Sequence, residues 1–163
     1  MPRKARIDAP GALQHIIIRG IERKAIFKDD SDRDNFLDRL SALVSESETG
    51  CYGWAIMTNH VHLLLKTGLS PVATVMRRLL TGYAVSFNRR HRRHGHLFQN
   101  RYKSFLCEED IYLKELVRYI HLNPVKVSGR QLMSVDRQLK YLWAYKWSSI
   151  PGYTGIKNTL NFV

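Results

Sequence analysis

The stretch Cys51–Lys66, CYGWAIMTNHVHLLLK, decides how the chain folds. Two apolar-rich runs, Cys51–Met57 and His60–Lys66, flank the dipeptide Thr58-Asn59. Each run has the length of a strand, and so short a link predicts a tight hairpin. Along a strand, side chains alternate between faces, so His60 and His62 project to the same side. Burying an imidazole without a partner is costly. Two of them at the head of a core strand are therefore either satisfied core residues or two arms of a binding site.

The elements on either side follow from periodicity. Leu13–Arg19, LQHIIIR, is rich in β-branched residues and reads as a strand. Gly20 and the charges after it predict a turn into a short extended piece around Ala25 to Phe27. A helix is expected from Ser31, where Ser31 and Asp34 resemble a capping box. Phe36, Leu37, Leu40, Leu43 and Val44 then recur at helical spacing and stop before Gly50. Pro71 suits the first turn of a second helix, whose apolar face is Val72, Val75, Leu79, Tyr83 and Phe87. Leu97 to Leu106 reads as extended. Glu108, Glu109 and Asp110 suit the first turn of a third helix, with Leu113, Leu116, Val117 and Ile120 as its stripe. Pro124 is expected to end it. Beyond Gly129 a short helix over Leu139 to Tyr145 and the turn-rich WSSIPGY follow. The order strand, helix, hairpin, helix, strand, helix is an α+β plan. It fits a ferredoxin-like split β-α-β with an antiparallel sheet and an additional C-terminal helix.

The chain has 163 residues, suited to one domain, with a net charge of +12 and a pI of about 10.0. Such an excess favours a polyanionic partner, most simply nucleic acid. No apolar run approaches a membrane span, and nothing in the opening residues reads as a signal peptide. Cys51 and Cys107 form no CxxC, so neither a disulfide framework nor a structural zinc site is expected. A reducing cytoplasm fits.

The third helix carries candidate chemistry. Tyr112, Tyr119 and Asn123 lie along one border of its stripe, and Tyr119 and Asn123, four apart, share a face. His121 falls on the opposite border. Taken singly, a border tyrosine packs its ring and leaves its hydroxyl wet, and an asparagine before proline is an ordinary helix-end residue. Together with His60 and His62 they give two imidazoles, an amide oxygen and a phenol. Two nitrogens and an oxygen leave open positions on a divalent ion for a phosphate oxygen to fill. A phenol, with a pKa near 10, needs such electrophilic help to act as a nucleophile.

These residues stand in motifs. MTNHVHLLL resembles the His-hydrophobe-His motif of the IS200-like single-tyrosine (HUH, Y1) transposases. HGHLFQNRYKS (His94 to Ser104), LVRYIHLNPVK (Leu116 to Lys126), WSSIPGY (Trp147 to Tyr153) and the opening QHIIIRGIERKAIF are similar to the branch associated with repetitive extragenic palindromes. The resemblance spans residues 10–153, with the motifs in the family's order. It implies a ferredoxin-like fold and metal-dependent cleavage and transfer of single-stranded, hairpin-forming DNA. Carried over, His60, His62 and Asn123 would be ligands of Mg²⁺ or Mn²⁺, and Tyr119 the nucleophile of a 5′-phosphotyrosine intermediate. Three positions depart from the pattern: Phe98 where the branch often has Trp, Asn100 where it often has Gly, and VSGR after NPVK. They bear on a turn or on DNA fit and remove no catalytic group. The implied division is a basic arm over 1–10, a catalytic domain over 11–128, and a tail over 129–163 packed on that domain. The expected setting is the bacterial cytoplasm, on the nucleoid, with no membrane partner. A monomer is expected, with a homodimer as the alternative.

The segment RRHRRHGH, Arg89 to His96, is a separate matter. His91, His94 and His96 make poor candidate ligands, because the surrounding arginines oppose a cation. A phosphate-contacting surface suits the segment better. Arg89, Arg90, Arg92 and Arg93 would then join Arg19, Arg77, Arg78, Arg101 and Lys103 in a basic track. Phe98 and Tyr102 beside it either stack on unpaired bases or belong to the core. Two other readings compete: a nucleic-acid-binding protein without cleavage, and a hydrolytic metal-dependent nuclease.

Overall fold

The computed structural model describes residues 8–154, with residues 109–111 described by their backbone alone. The outer part of the expected arm and the end of the tail lie outside the described residues. The hairpin forms as its sequence predicts: β2 (Gly50–Ile56) and β3 (His60–Lys66) pair antiparallel across Thr58-Asn59. β3 also pairs antiparallel with β1 (Leu13–Arg19), and β4 (Lys103–Cys107) closes the other edge of β1. The four-stranded order is β2-β3-β1-β4. Each of the two β-α-β units therefore skips one strand, which is the ferredoxin-like arrangement.

Strand alternation gives the sheet two different faces. Ile16, Ile18, Trp54, Ile56, Val61, Leu63 and Leu65 point to one side. There they form the main core with the apolar stripes of α1 (Asp30–Glu46) and α2 (Val72–Arg90). Leu13, Ala55 and Leu64 form a smaller core on the other side, under Ile120 of α3 (Glu109–Val127). His15, His60 and His62 belong to this second face. α3 lies over β2 and β3, and toward β4 the face is open, with Lys103 and Phe105 exposed.

Several boundaries differ from the sequence reading. Asp29, not Ser31, caps α1: its carboxylate accepts the Asp32 N–H at 3.0 Å. Pro71 is the N-cap of α2 rather than a first-turn residue. The piece at Ala25 to Phe27 joins no strand; both Ile26 and Phe27 are buried and their N–H groups share the Thr58 carbonyl. A 3-10 turn, Ile21–Arg23, precedes it. Gly20 is required there, because a Cβ would collide with the Lys24 carbonyl oxygen. Of the stretch 97–106, only 103–106 is strand; Leu97 is core and Phe98 makes a single bridge to Gly20.

The most consequential difference is at Pro124, which does not end α3. The helix runs one turn further, to Val127. Proline removes one backbone donor and crowds the carbonyl four residues back, but tertiary packing overrides this. Val125 is buried against Leu142 of α4 (Val135–Ala144) and Ile150 of α5 (Ile150–Tyr153), and this small cluster holds the last turn in place.

Candidate active site

The three imidazoles meet on the open face. In the β1–β3 register His60 lies across from Arg19 and His62 across from Ile17, which sets His15 diagonally beside His62. The His15 and His62 rings stack at 5.1 Å with 20° between planes, and His15 Nε2 and His62 Nδ1 share a hydrogen bond of 2.9 Å. His60 stands at 5.3 Å from His62, ring centre to ring centre. Its Nδ1 donates to Asn59 Oδ1 at 2.7 Å, so its Nε2 carries the lone pair. All three rings are buried.

Above them stands Tyr119. Its ring meets His15 and His62 edge-on, each at 5.9 Å, and the residue remains 41% exposed. Asn123, one turn on, is buried; its Nδ2 donates to the Tyr119 carbonyl at 2.8 Å, leaving the amide oxygen as the free donor atom. Lys126, one further turn on, holds its ammonium 4.4 Å from the Tyr119 ring centre. Residues 119, 123 and 126 thus share one helix face. Tyr112 is exposed and has no part in the cluster. His121 points away, its Nε2 bonded to Ser149 Oγ at 2.7 Å.

Electrostatics keeps the imidazoles neutral. Burial pushes His60 down to about 4, helped by the Arg19 charge. Burial pushes His62 to about 3, with smaller contributions from His15, His60, Arg19 and Lys126. Burial also lowers His15, and it takes His121 to about 4. A proton on any of these rings is held better by the unfolded chain. Their stabilising effect is therefore complete above pH 6.5 and drains away as the pH falls towards 4. Each pH unit in that window costs up to about 1.4 kcal/mol for each of His60, His62 and His121. Melting temperature measured from pH 7.5 to 4.5 should fall steeply below 6.5; a flat profile would mean the rings are solvated.

The atoms that would hold a divalent ion, weakly, are the free nitrogens of His60 and His62 and the amide oxygen of Asn123. Two neutral imidazoles and one amide oxygen supply three atoms and no negative charge. Among the described residues no group of three or more His, Cys, Asp or Glu side chains is placed to hold a metal. Arg19 and Lys126 add positive charge at the rim. An ion here needs an anionic oxygen from outside, and the same two cations would help to hold that anion.

The basic track is less uniform than its sequence implies. Arg90 is committed within the fold: it grips Asp29 through two bonds of 2.7 Å and Asp32 at 2.6 Å. His91 donates to the same buried Asp32, at 2.8 Å. Arg78 pairs with Glu46 at 2.8 Å, and Arg93 donates to Asn88 Oδ1 and the His96 carbonyl. Arg19, Arg77, Arg89, Arg92, Arg101 and Lys103 are exposed. Arg77 and Arg101 border an open groove of about 840 Å³ between α2 and the 95–102 segment, floored by Leu80, Leu97 and Phe98. Tyr102 is buried in the core, whereas Phe98 is partly open to the groove.

Two site residues escape the sequence reading. His15 carries a signal, since it alternates with Ile17 and Arg19 on a strand; what hid it was the register that sets β1 against β3. Lys126 lies seven residues after Tyr119, two helical turns, and the expected end at Pro124 took it off that face.

A ferredoxin-like sheet bearing a His-x-His pair beneath a helix-borne tyrosine has the layout of a single-tyrosine transposase. Residues 11–123 match the model of the family described as "Transposase IS200 like", and the chain belongs to that family. No curated protein matches it by sequence. Among solved structures it is similar to a REP-associated tyrosine transposase bound to a REP hairpin, at 13% identity and a TM-score of 0.73, over 97% of this chain and 89% of that one. It is also similar to a candidate transposase from Deinococcus radiodurans R1, at 18% identity and a TM-score of 0.49, over 75% and 97%. The tRNA(His) guanylyltransferase of Saccharomyces cerevisiae aligns at 10% identity and a TM-score of 0.51, over 87% and 75%, a likeness of fold alone. Among the described residues no helix is long and apolar enough to cross a membrane.

Proposed function

We propose that the protein cleaves and rejoins single-stranded DNA beside a hairpin, with Tyr119 as nucleophile. The observation that carries this is the edge-on seat of the half-exposed Tyr119 ring against His62, with Asn123 and Lys126 on the same helix face. His60, His62 and Asn123 would hold Mg²⁺ or Mn²⁺. Bound there, the ion would polarise a phosphodiester and stabilise the charge that develops on it.

The chain's own groups account for the rest. Lys126 and Arg19 hold the phosphate over the imidazoles. Tyr119 Oη gives up its proton and bonds to phosphorus. The bond from phosphorus to O3′ breaks, its electron pair stays on O3′, and that oxygen takes a proton. The products are a 5′-phosphotyrosine and a free 3′-hydroxyl. Attack by an incoming 3′-hydroxyl reverses the step and joins a new strand. Imidazoles and phenol come from one chain, so a monomer, with residues 11–128 as its catalytic unit, suffices. The setting is the cytoplasm, where the DNA lies.

A labelled hairpin with a single-stranded flank, incubated with Mg²⁺ or Mn²⁺, tests this reading. A protein–DNA adduct that survives denaturation supports it. Binding without cleavage would favour a non-catalytic DNA-binding protein, and cleavage without adduct a hydrolytic nuclease.

The track is tested by salt. Neutralising Arg89, Arg92 and Arg101 together should reduce the slope of log affinity against log salt by about 0.7–0.9 for each phosphate left without its cation. Arg90→Gln should instead lower the melting temperature, because its guanidinium ties α2 to the start of α1. An unchanged slope in the triple variant would take this surface out of the interface.

A further inference from the structure

One buried imidazole, His15, has no part in the reaction just described. It is 7% exposed and wedged between Phe105 at 6.1 Å, Tyr119 at 5.9 Å and His62 at 5.1 Å. β1 is hydrogen-bonded on both edges, to β3 and to β4, so the backbone beneath His15 is fixed. Its Nε2 lies 2.9 Å from His62 Nδ1. Two neutral imidazoles at that distance share one proton, and its direction decides what His62 can do. If His15 donates, the proton of His62 sits on its own Nε2, and that atom cannot ligate. If His62 donates, its Nε2 is left with a lone pair.

The neighbouring histidine shows which arrangement the site is built for. His60 Nδ1 must donate, because Asn59 Oδ1 can only accept, so His60 Nε2 is unprotonated. We propose that His15 does for His62 what Asn59 does for His60. It is a positioning residue whose Nε2 accepts the His62 Nδ1–H and so fixes His62 with its Nε2 lone pair free. His15 then carries its own proton on Nδ1. A ligand imidazole whose second nitrogen is bonded to a fixed acceptor is held in both tautomer and ring orientation. The pair on one strand would thus be set by two unlike partners: a side chain one residue away, and a ring from the neighbouring strand. The inference rests on the proposed role of His62 as a ligand.

The test begins with the metal-free protein. Long-range ¹⁵N–¹H spectra report which nitrogen of each histidine carries the proton. The expected wild-type result is His62 protonated at Nδ1 and His15 unprotonated at Nε2. His15→Phe keeps an aromatic ring but has no acceptor, and should move the His62 proton towards Nε2. His15→Gln restores an acceptor oxygen and should recover the wild-type pattern. Mn²⁺ affinity, measured on the hairpin complex in a Tyr119→Phe background, should fall roughly 10–100-fold in His15→Phe and largely return in His15→Gln. Wild-type His62 with its proton on Nε2 overturns the proposal, whatever the variants do. So does a His15→Phe protein with unchanged His62 spectrum and unchanged Mn²⁺ affinity. Should the wild-type complex bind no Mn²⁺, the ligand role of His62 fails, while the spectra still decide the direction of the His15–His62 bond.

Discussion

Replacing Tyr119 by Phe should abolish DNA cleavage and leave hairpin binding intact. The phenyl ring keeps the edge contacts to His15 and His62, and the Asn123 bond goes to the backbone carbonyl, so neither depends on the hydroxyl. What disappears is the hydroxyl proposed to form the covalent link. Loss of a nucleophile commonly costs on the order of 10⁴-fold or more in turnover. The linkage also fixes which fragment travels with the protein. A strand labelled at its 3′ end should leave its label on the protein band of a denaturing gel, because the 5′-phosphate of that fragment would be joined to Tyr119. A strand labelled at its 5′ end should give a free fragment ending in a 3′-hydroxyl. The opposite labelling pattern, or cleavage that persists in Tyr119→Phe, would mean that Tyr119 is not the nucleophile.

The site was half legible in the sequence, and the division has a physical basis. Local periodicity is visible in a string of residues. Strand alternation put His60 and His62 on one side, and helical spacing put Tyr119 and Asn123 on one face, with His121 opposite. The structure has both arrangements. What periodicity cannot supply is the relation between elements far apart in the chain. His15 lies 47 residues from His62, and only the β1–β3 register makes them neighbours. Arg90 looks like a free surface charge until the fold brings Asp29 and Asp32 to it from α1. Lys126 is a different case. Its helical phase was legible, and the rule that proline ends helices hid it. Packing of Val125 against Leu142 and Ile150 outweighs the backbone cost of Pro124, and that extra turn carries the ammonium to the Tyr119 ring.

The second large effect is expected at the imidazole pair. His60→Ala and His62→Ala would each remove one nitrogen from a proposed donor set that has only two and no carboxylate. An ion held by a single imidazole and an amide would be lost from the site, and with it several kcal/mol of charge stabilisation, on the order of 10³-fold in cleavage. Hairpin affinity measured without metal should change little, because four exposed arginines of the track, Arg77, Arg89, Arg92 and Arg101, lie on α2 and the segment after it, away from the imidazoles. Stability should separate the two variants. His62→Ala leaves the buried His15 Nε2 without its partner, at a cost of about 1–3 kcal/mol. His60→Ala frees only Asn59, which is partly open to water and also bonds the Arg23 carbonyl. Equal loss of cleavage in both, with a lower melting temperature mainly in His62→Ala, distinguishes ligand loss from general unfolding. The double variant with Tyr119→Phe should be no worse than either single one, since groups that act as a unit are not additive. Multiplying losses would mean that the imidazoles and the phenol act on separate steps, and full cleavage in either alanine variant would leave the His-x-His pair with a structural role alone.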